Sequence, residues 1–282
     1  FLFIISILFF ILYFISKRNN KELFNKQNKI DVVYTWVDSK DKKWLMLKKI
    51  FSKKIKNKPE ESNNKLRFNN IDELKYSLRS LYKFSPWVNN IFIVVHDGQY
   101  PKWLNKNESK IKIIEHSQIF DDLNNLPTFN SQAIECNIDN IPNLSEYFLY
   151  FNDDMFLGKE LKYDYLFHKN SGKPKFFLDE YAGTPFFFKR KPITGYEFAW
   201  KNINNLLKNR FNIENEKGVS PIHQCRLYKK SYIKEVKKIF KKYFKITSKS
   251  RFRSTKDISP LGLVSMYTLY RKYYIPSIIR ST

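Results

Sequence analysis

Four carboxylates stand where two apolar runs stop: Asp38 and Asp41 after one, Asp153 and Asp154 after the other. Acids at strand ends suit a divalent cation and a nucleotide pyrophosphate. Hard oxygen ligands hold Mg2+ or Mn2+, and the ion bridges phosphate oxygens while neutralising charge on the leaving group. The same acids could equally solvate or cap the turn that follows. A second set of groups lies in the C-terminal half. His223, in Ser-Pro-Ile-His-Gln-Cys-Arg226, titrates near neutrality and suits a general base on an alcohol. Arg251 and Arg253 flank Phe252. Guanidinium forks match phosphate oxygens in a way that Lys does not, and residues two apart on an extended strand share a face.

The elements that must position these groups alternate. Residues 29–38 read as a β-branched, aromatic strand, and 91–95, 111–114 and 147–151 as further buried strands. Leu74, Leu78 and Leu81 recur at helical spacing behind Asp72 and Glu73, and Ser85-Pro86 ends that helix. A short helix is expected near 130–137 and longer ones over 195–211, 229–246 and 259–274. Residues 176–178 and 186–188 read as strands, and 52–66 as an exposed loop. Strand–helix–strand alternation implies an α/β domain with a largely parallel sheet, whose ligands bind at the carboxyl ends of the strands.

Composition narrows the class. The chain has 282 residues, 51 Lys and Arg against 27 Asp and Glu, and a net charge of +24. With 43% hydrophobic and 17% aromatic residues it is not disordered, and seven glycines leave little material for Gly-rich architectures. Two cysteines, Cys136 and Cys225, exclude a disulfide framework or a Cys-rich zinc module. Residues 201–282 hold 20 Lys and Arg against 4 Asp and Glu. Such a face favours anionic partners, or serves as solvated surface. The aromatics fall mostly in apolar runs rather than among the lysines, so nucleic acid is not the expected partner.

Residues 1–15 are apolar except for Ser6, and Ser16, Lys17 and Arg18 end the run. This reads as a transmembrane anchor, short of the roughly 20 residues that span a bilayer. The expected organisation is an anchor at 1–16, a spacer at 17–29 and one catalytic domain over 30–282, in a single-pass membrane protein. Basic residues after the run favour a cytoplasmic body.

Three blocks resemble the Stealth family of hexose-1-phosphate transferases. The first is Ile30-Asp-Val-Val-Tyr-Thr-Trp-Val-Asp38, where Ser39 stands in place of the family's glycine. The second runs from Arg67 through Asp72-Glu-Leu-Lys-Tyr-Ser-Leu-Arg-Ser80, Asp97-Gly-Gln99 and Leu126-Pro-Thr-Phe-Asn-Ser-Gln-Ala-Ile-Glu135 to Leu149-Tyr-Phe-Asn-Asp-Asp154. The third begins at His223, with Cys225 altering the usual pattern, and reaches Arg251-Phe-Arg-Ser254 and Asp257-Ile-Ser259. The family's short C-terminal block is not visible before Thr282.

The resemblance implies a Rossmann-like, glycosyltransferase-A-like, mostly parallel sheet flanked by helices. It implies transfer of a hexose-1-phosphate from a UDP-sugar donor to a hydroxyl of a glycan acceptor, forming a phosphodiester and releasing UMP. Asp153, Asp154, His223, Arg251 and Arg253 are then the expected catalytic groups, with Asp153 and Asp154 holding Mg2+ or Mn2+. Asp38, Arg79, Asn130 and Glu135 are the expected substrate-binding groups, the last three on the resemblance alone. A metal-dependent glycosyltransferase releasing UDP would carry similar acids. A capsule enzyme would work in the cytosol and a lysosomal-targeting relative in the Golgi lumen, so the compartment stays open.

Overall fold

The computed structural model describes residues 28–54, 59, 62, 64, 68, 71–105, 107–179, 192–212 and 224–279. Its centre is a five-stranded sheet in the order β3-β2-β1-β4-β6. β1 (Ile30–Trp36), β2 (Ile91–Val95), β3 (Ile111–Glu115) and β4 (Tyr147–Asn152) are parallel, and β6 (Arg226–Lys229) returns antiparallel beside β4. The parallel order 3-2-1-4 reverses direction between β1 and β4, which makes a switch point and opens a crevice there. Thr35 pairs with Asn152 across it.

β1 and β2 carry nearly continuous apolar residues because both faces of the sheet are covered. Val33, Phe92, Val94, Phe148 and Tyr150 point into one core. Val32, Tyr34, Ile91, Ile93, Leu149 and Phe151 point into the other, as the period of two in a strand requires. The second core is closed by α2 (Glu73–Phe84), which buries Leu74, Ser77, Leu78 and Leu81. α1 (Lys42–Lys53) precedes it, and the short α3 (Ser131–Glu135) leads into β4.

The first core is closed by α4 (Gly195–Phe211), α5 (Lys230–Ile239), α6 (Lys241–Lys249) and α7 (Pro260–Tyr270). A capping box of Thr194 and Glu197 starts α4. Pro260 opens α7, whose residues Pro260 to Thr268 are all buried, so it shows no amphipathic stripe. Gly262 admits close packing: a Cβ there would meet the Ser259 hydroxyl at 2.7 Å and the Trp200 ring at 3.2 Å.

Several expectations change. The single helix expected over 229–246 is two helices that break at Phe240, and Lys229 is the last residue of the strand before them. The break lets Ile233 and Val236 on one helix and Phe244 on the next each turn into the same core. β5 (Lys175–Asp179) and β7 (Ile275–Ile279) form a separate parallel pair that joins distant stretches of chain. The strand expected at 186–188 lies outside the described residues. Both cysteines are free thiols.

The membrane anchor is also corrected. Among the described residues no helix is long and apolar enough to cross a membrane. The expected transmembrane segment at 1–16 lies outside the described residues. The anchor, the membrane as a partner and the single-pass placement that depended on it are therefore withdrawn.

Candidate active site

The aspartates of the site are placed by the strands before them. After β4, Asn152 to Met155 form a turn in which the Met155 N–H donates to the Asn152 carbonyl at 3.2 Å. Asp153 and Asp154 occupy its two corners. α2 holds the turn from below: Ser77 donates its hydroxyl to the Met155 carbonyl, and the Leu157 N–H donates to Ser80 Oγ at 3.0 Å. Burial, then the charge of Asp154, then that of Glu73 push the Asp153 carboxyl up to about 6. Adjacent carboxylates that repel one another in this way attract a cation.

After β1 the chain turns at Asp38, whose Oδ1 accepts from the Lys40 N–H at 2.9 Å. The Gln99 amide clasps its backbone, accepting from the Asp38 N–H at 2.8 Å and donating to its carbonyl at 3.0 Å. Asp41 is a helix cap: its Oδ1 accepts from the Trp44 N–H at 2.7 Å and starts α1. Both carboxylates thus cap local backbone, Asp38 at the carboxyl end of β1 and Asp41 at the start of α1.

Glu135, at the end of α3, is half-buried. Burial pushes its carboxyl up to about 7, against the pull of Arg253, a hydrogen bond from the Leu261 backbone in the first turn of α7, the charge of Arg226 and a hydrogen bond from Tyr150. The Tyr150 hydroxyl lies 3.2 Å from Thr35 Oγ1 and feels both Glu135 and Asp153. Arg226 arrives because β6 runs antiparallel to β4 and sets its first residue opposite Tyr150. Tyr196, near the start of α4, feels the charges of Arg226, Arg253 and Glu135. A carboxyl, two guanidiniums and two phenols thus converge beside the Asp153-Asp154 turn.

The two arginines singled out from the sequence part ways. Arg253 faces Glu135 and donates to Ser131 Oγ at 3.4 Å. Arg251 donates to the carbonyls of Asn124 and Leu126 at 2.7 and 2.9 Å and lies 4.7 Å from the Phe51 ring centroid. It clasps a loop. Asn130 is fully buried; its amide donates to the Ser250 carbonyl at 3.0 Å and to Asp257 Oδ2 at 2.9 Å, while its Oδ1 accepts from the Gln132 N–H. Arg79 lies on the exposed side of α2, over the ring of Tyr76 at 5.5 Å. His223 lies outside the described residues.

The structure brings together Asp153, Asp154, Glu135 and Arg253, and Asp38 stands at the end of the neighbouring strand β1. Sequence reasoning missed Arg226, Tyr150, Tyr196 and Glu73. The signal for Arg226 was its place at the head of an apolar pair, Leu227-Tyr228, which marks a strand start. Among the described residues no three His, Cys, Asp or Glu side chains gather to hold a metal. The two turn carboxylates suit an ion that keeps water and takes its other oxygens from a phosphate.

A doubly wound sheet with acids at its switch point and guanidiniums facing them defines an α/β enzyme acting on phosphorylated substrates. Two family models match the chain: Stealth protein CR2, conserved region 2, over residues 67–175, and Stealth protein CR3, conserved region 3, over residues 222–273. The chain belongs to the Stealth family. It is 38% identical over 248 residues to the capsular polysaccharide phosphotransferase fcs1 of Haemophilus influenzae, covering 88% of this chain and 67% of that protein. The exopolysaccharide phosphotransferase SCO2594 of Streptomyces coelicolor is 39% identical over 243 residues, 84% of this chain and 38% of its own. The capsular polysaccharide phosphotransferase LcbA of Neisseria meningitidis is 35% identical over 243 residues, 86% of this chain and 65% of its own.

Proposed function

We propose that this chain transfers a sugar-1-phosphate from a UDP-sugar to a hydroxyl of a glycan, forming a phosphodiester and releasing UMP. It is a sugar-phosphate transferase of the Stealth type, like the polysaccharide phosphotransferases to which it is similar. One observation carries the assignment of roles: Glu135, Arg226 and Arg253 meet beside the Asp153-Asp154 turn at the switch point.

The acceptor oxygen attacks the phosphorus that bears the sugar, and the bond from that phosphorus to the bridging oxygen breaks. The bridging oxygen and its electron pair leave with UMP. Such a transfer asks the protein for alignment and charge neutralisation more than for covalent chemistry. Arg226 and Arg253 supply guanidinium forks for the diphosphate. Glu135, held near neutral pKa, accepts the proton of the attacking hydroxyl. We assign that proton to Glu135 in place of His223, the base expected from the sequence, which lies outside the described residues. Asp38, at the end of β1, is assigned to the nucleotide. Bound at Asp153 and Asp154, Mg2+ or Mn2+ would neutralise charge developing on the leaving phosphate.

The test is a donor screen that follows the nucleotide released. UMP accompanied by a phosphodiester-linked sugar supports the reading; UDP with a plain glycosidic product would replace it with glycosyl transfer.

A further inference from the structure

The amino ends of β1, β2 and β3 carry a second concavity. It is a cavity of about 540 Å3, and Lys29, Trp87, Asn89, Ser109, Lys110 and Tyr163 are among its lining residues. Four parallel strands separate it from the candidate active site at their carboxyl ends. Seven residues of β1 at about 3.3 Å each set the two roughly 20 Å apart.

The cavity is built on a rigid floor. Asp31, fully buried beneath it, accepts from Asn89 Nδ2 at 2.7 Å, from the Asn90 N–H at 3.0 Å and from the Ser145 N–H at 2.6 Å. The Trp87 indole is fixed by its own N–H, which donates to the Leu161 carbonyl at 2.6 Å. Tyr163 meets the Trp87 ring edge-on at 5.7 Å and accepts from the Asn28 N–H at 2.9 Å. Two aromatic rings are therefore oriented before any ligand arrives, which lowers the ordering cost of binding. Lys110 Nζ donates to the Pro86 carbonyl at 3.0 Å and, with three donors on an ammonium, keeps capacity for an anion. Among the described residues no carboxylate lines the cavity.

Fixed aromatic faces, side-chain amides and lysines without acids make a site for a sugar chain that carries negative charge. We propose that this cavity is a second glycan site, which holds a phosphate-bearing segment of the polymer away from the reacting end. The choice of an anionic glycan rests on the proposed transfer, since a phosphodiester-linked chain is its product; the cavity itself does not.

The test uses the whole chain and two substitutions outside the catalytic groups, Ser109→Phe to fill the cavity and Lys110→Glu to reverse its charge. Binding is followed by tryptophan fluorescence with a phosphodiester-linked N-acetylhexosamine oligomer, a neutral glucose oligomer of equal length, and inorganic phosphate. The anionic oligomer should bind best. Each substitution should weaken it by about tenfold, which corresponds to one well-made charged or aromatic contact. Turnover on a single-sugar acceptor should be unchanged in both variants, and their polymer products should be shorter. Equal binding by all three proteins overturns the proposal. So does equal affinity for the neutral oligomer, or for inorganic phosphate. If the oligomer binds and both variants lose it while no protein releases UMP, the cavity stands and the transferase reading fails.

Discussion

Asn130 Nδ2 donates to Asp257 Oδ2 at 2.9 Å across 127 residues of sequence. Both side chains are fully buried, and the Ser254 N–H donates to the same oxygen at 2.9 Å. The contact ties the cap of α3 to the segment that carries Arg253, and so sets Glu135 and Arg253 in one place. Asn130 acts here through its neighbours.

Asn130→Ala should therefore cost about 1–3 kcal/mol of stability, the usual penalty for stranding a buried partner. It should also reduce turnover in folded protein, because Arg253 loses its tether. Denaturant titration beside kcat measurement checks both. Full activity in a destabilised variant would reduce the contact to a purely structural one.

Glu135 must be ionised to take a proton. Its pKa of about 7 predicts kcat/KM rising with pH and levelling above neutrality. Glu135→Gln should lose roughly 10²–10⁴-fold in rate, together with that limb of the profile. A variant that keeps the limb would move the base to another residue.

Arg251 and Arg253 should separate on mutation. Arg253→Ala should lower transfer with little loss of stability. Arg251→Ala should lower the melting temperature, because the Asn124 and Leu126 carbonyls lose their donor. Donor KM in the folded Arg251 variant should change little. The reverse pattern would return the diphosphate to Arg251.

Metal dependence follows from the turn acids. Treatment with EDTA should abolish transfer, and Mg2+ or Mn2+ should restore it. Asp154→Asn should raise the metal concentration needed for half-maximal rate. Unaltered activity after exhaustive chelation would rule out the assigned cation.

Acid should act through His116, which is buried at the end of β3 against His96 and Phe120. Burial, with the charge of His96 adding and that of Asp97 opposing, lowers it to about 3. The unfolded chain takes up this proton first, so stability should climb as pH rises from about 3 to about 6.5 and flatten beyond. His116→Phe should remove that part of the slope in pH-dependent unfolding. A slope unchanged by the substitution would assign it to other groups.

The sequence by itself determined the four parallel strands of the main sheet, their apolar character and the acids that follow β1 and β4. These are local facts: a β-branched run stopped by Asp has few other conformations open to it. It could likewise show that Asp153 and Asp154 lie together, since adjacent residues must. The sequence could mark Arg226 as a strand start but not as a site residue, because its place beside Tyr150 depends on β6 pairing antiparallel with β4. Arg251 and Arg253 looked alike for the same kind of reason. Two residues apart, they share a side of the chain, yet the Asn124 and Leu126 carbonyls from a distant loop claim only one of them. Only the tertiary structure decided that Glu135 lies between guanidiniums and is lifted towards neutrality, because its surroundings come from β4, β6 and α7. A strand's limits are set by its own residues; a side chain's electrostatic environment is set by whatever else the fold brings within reach.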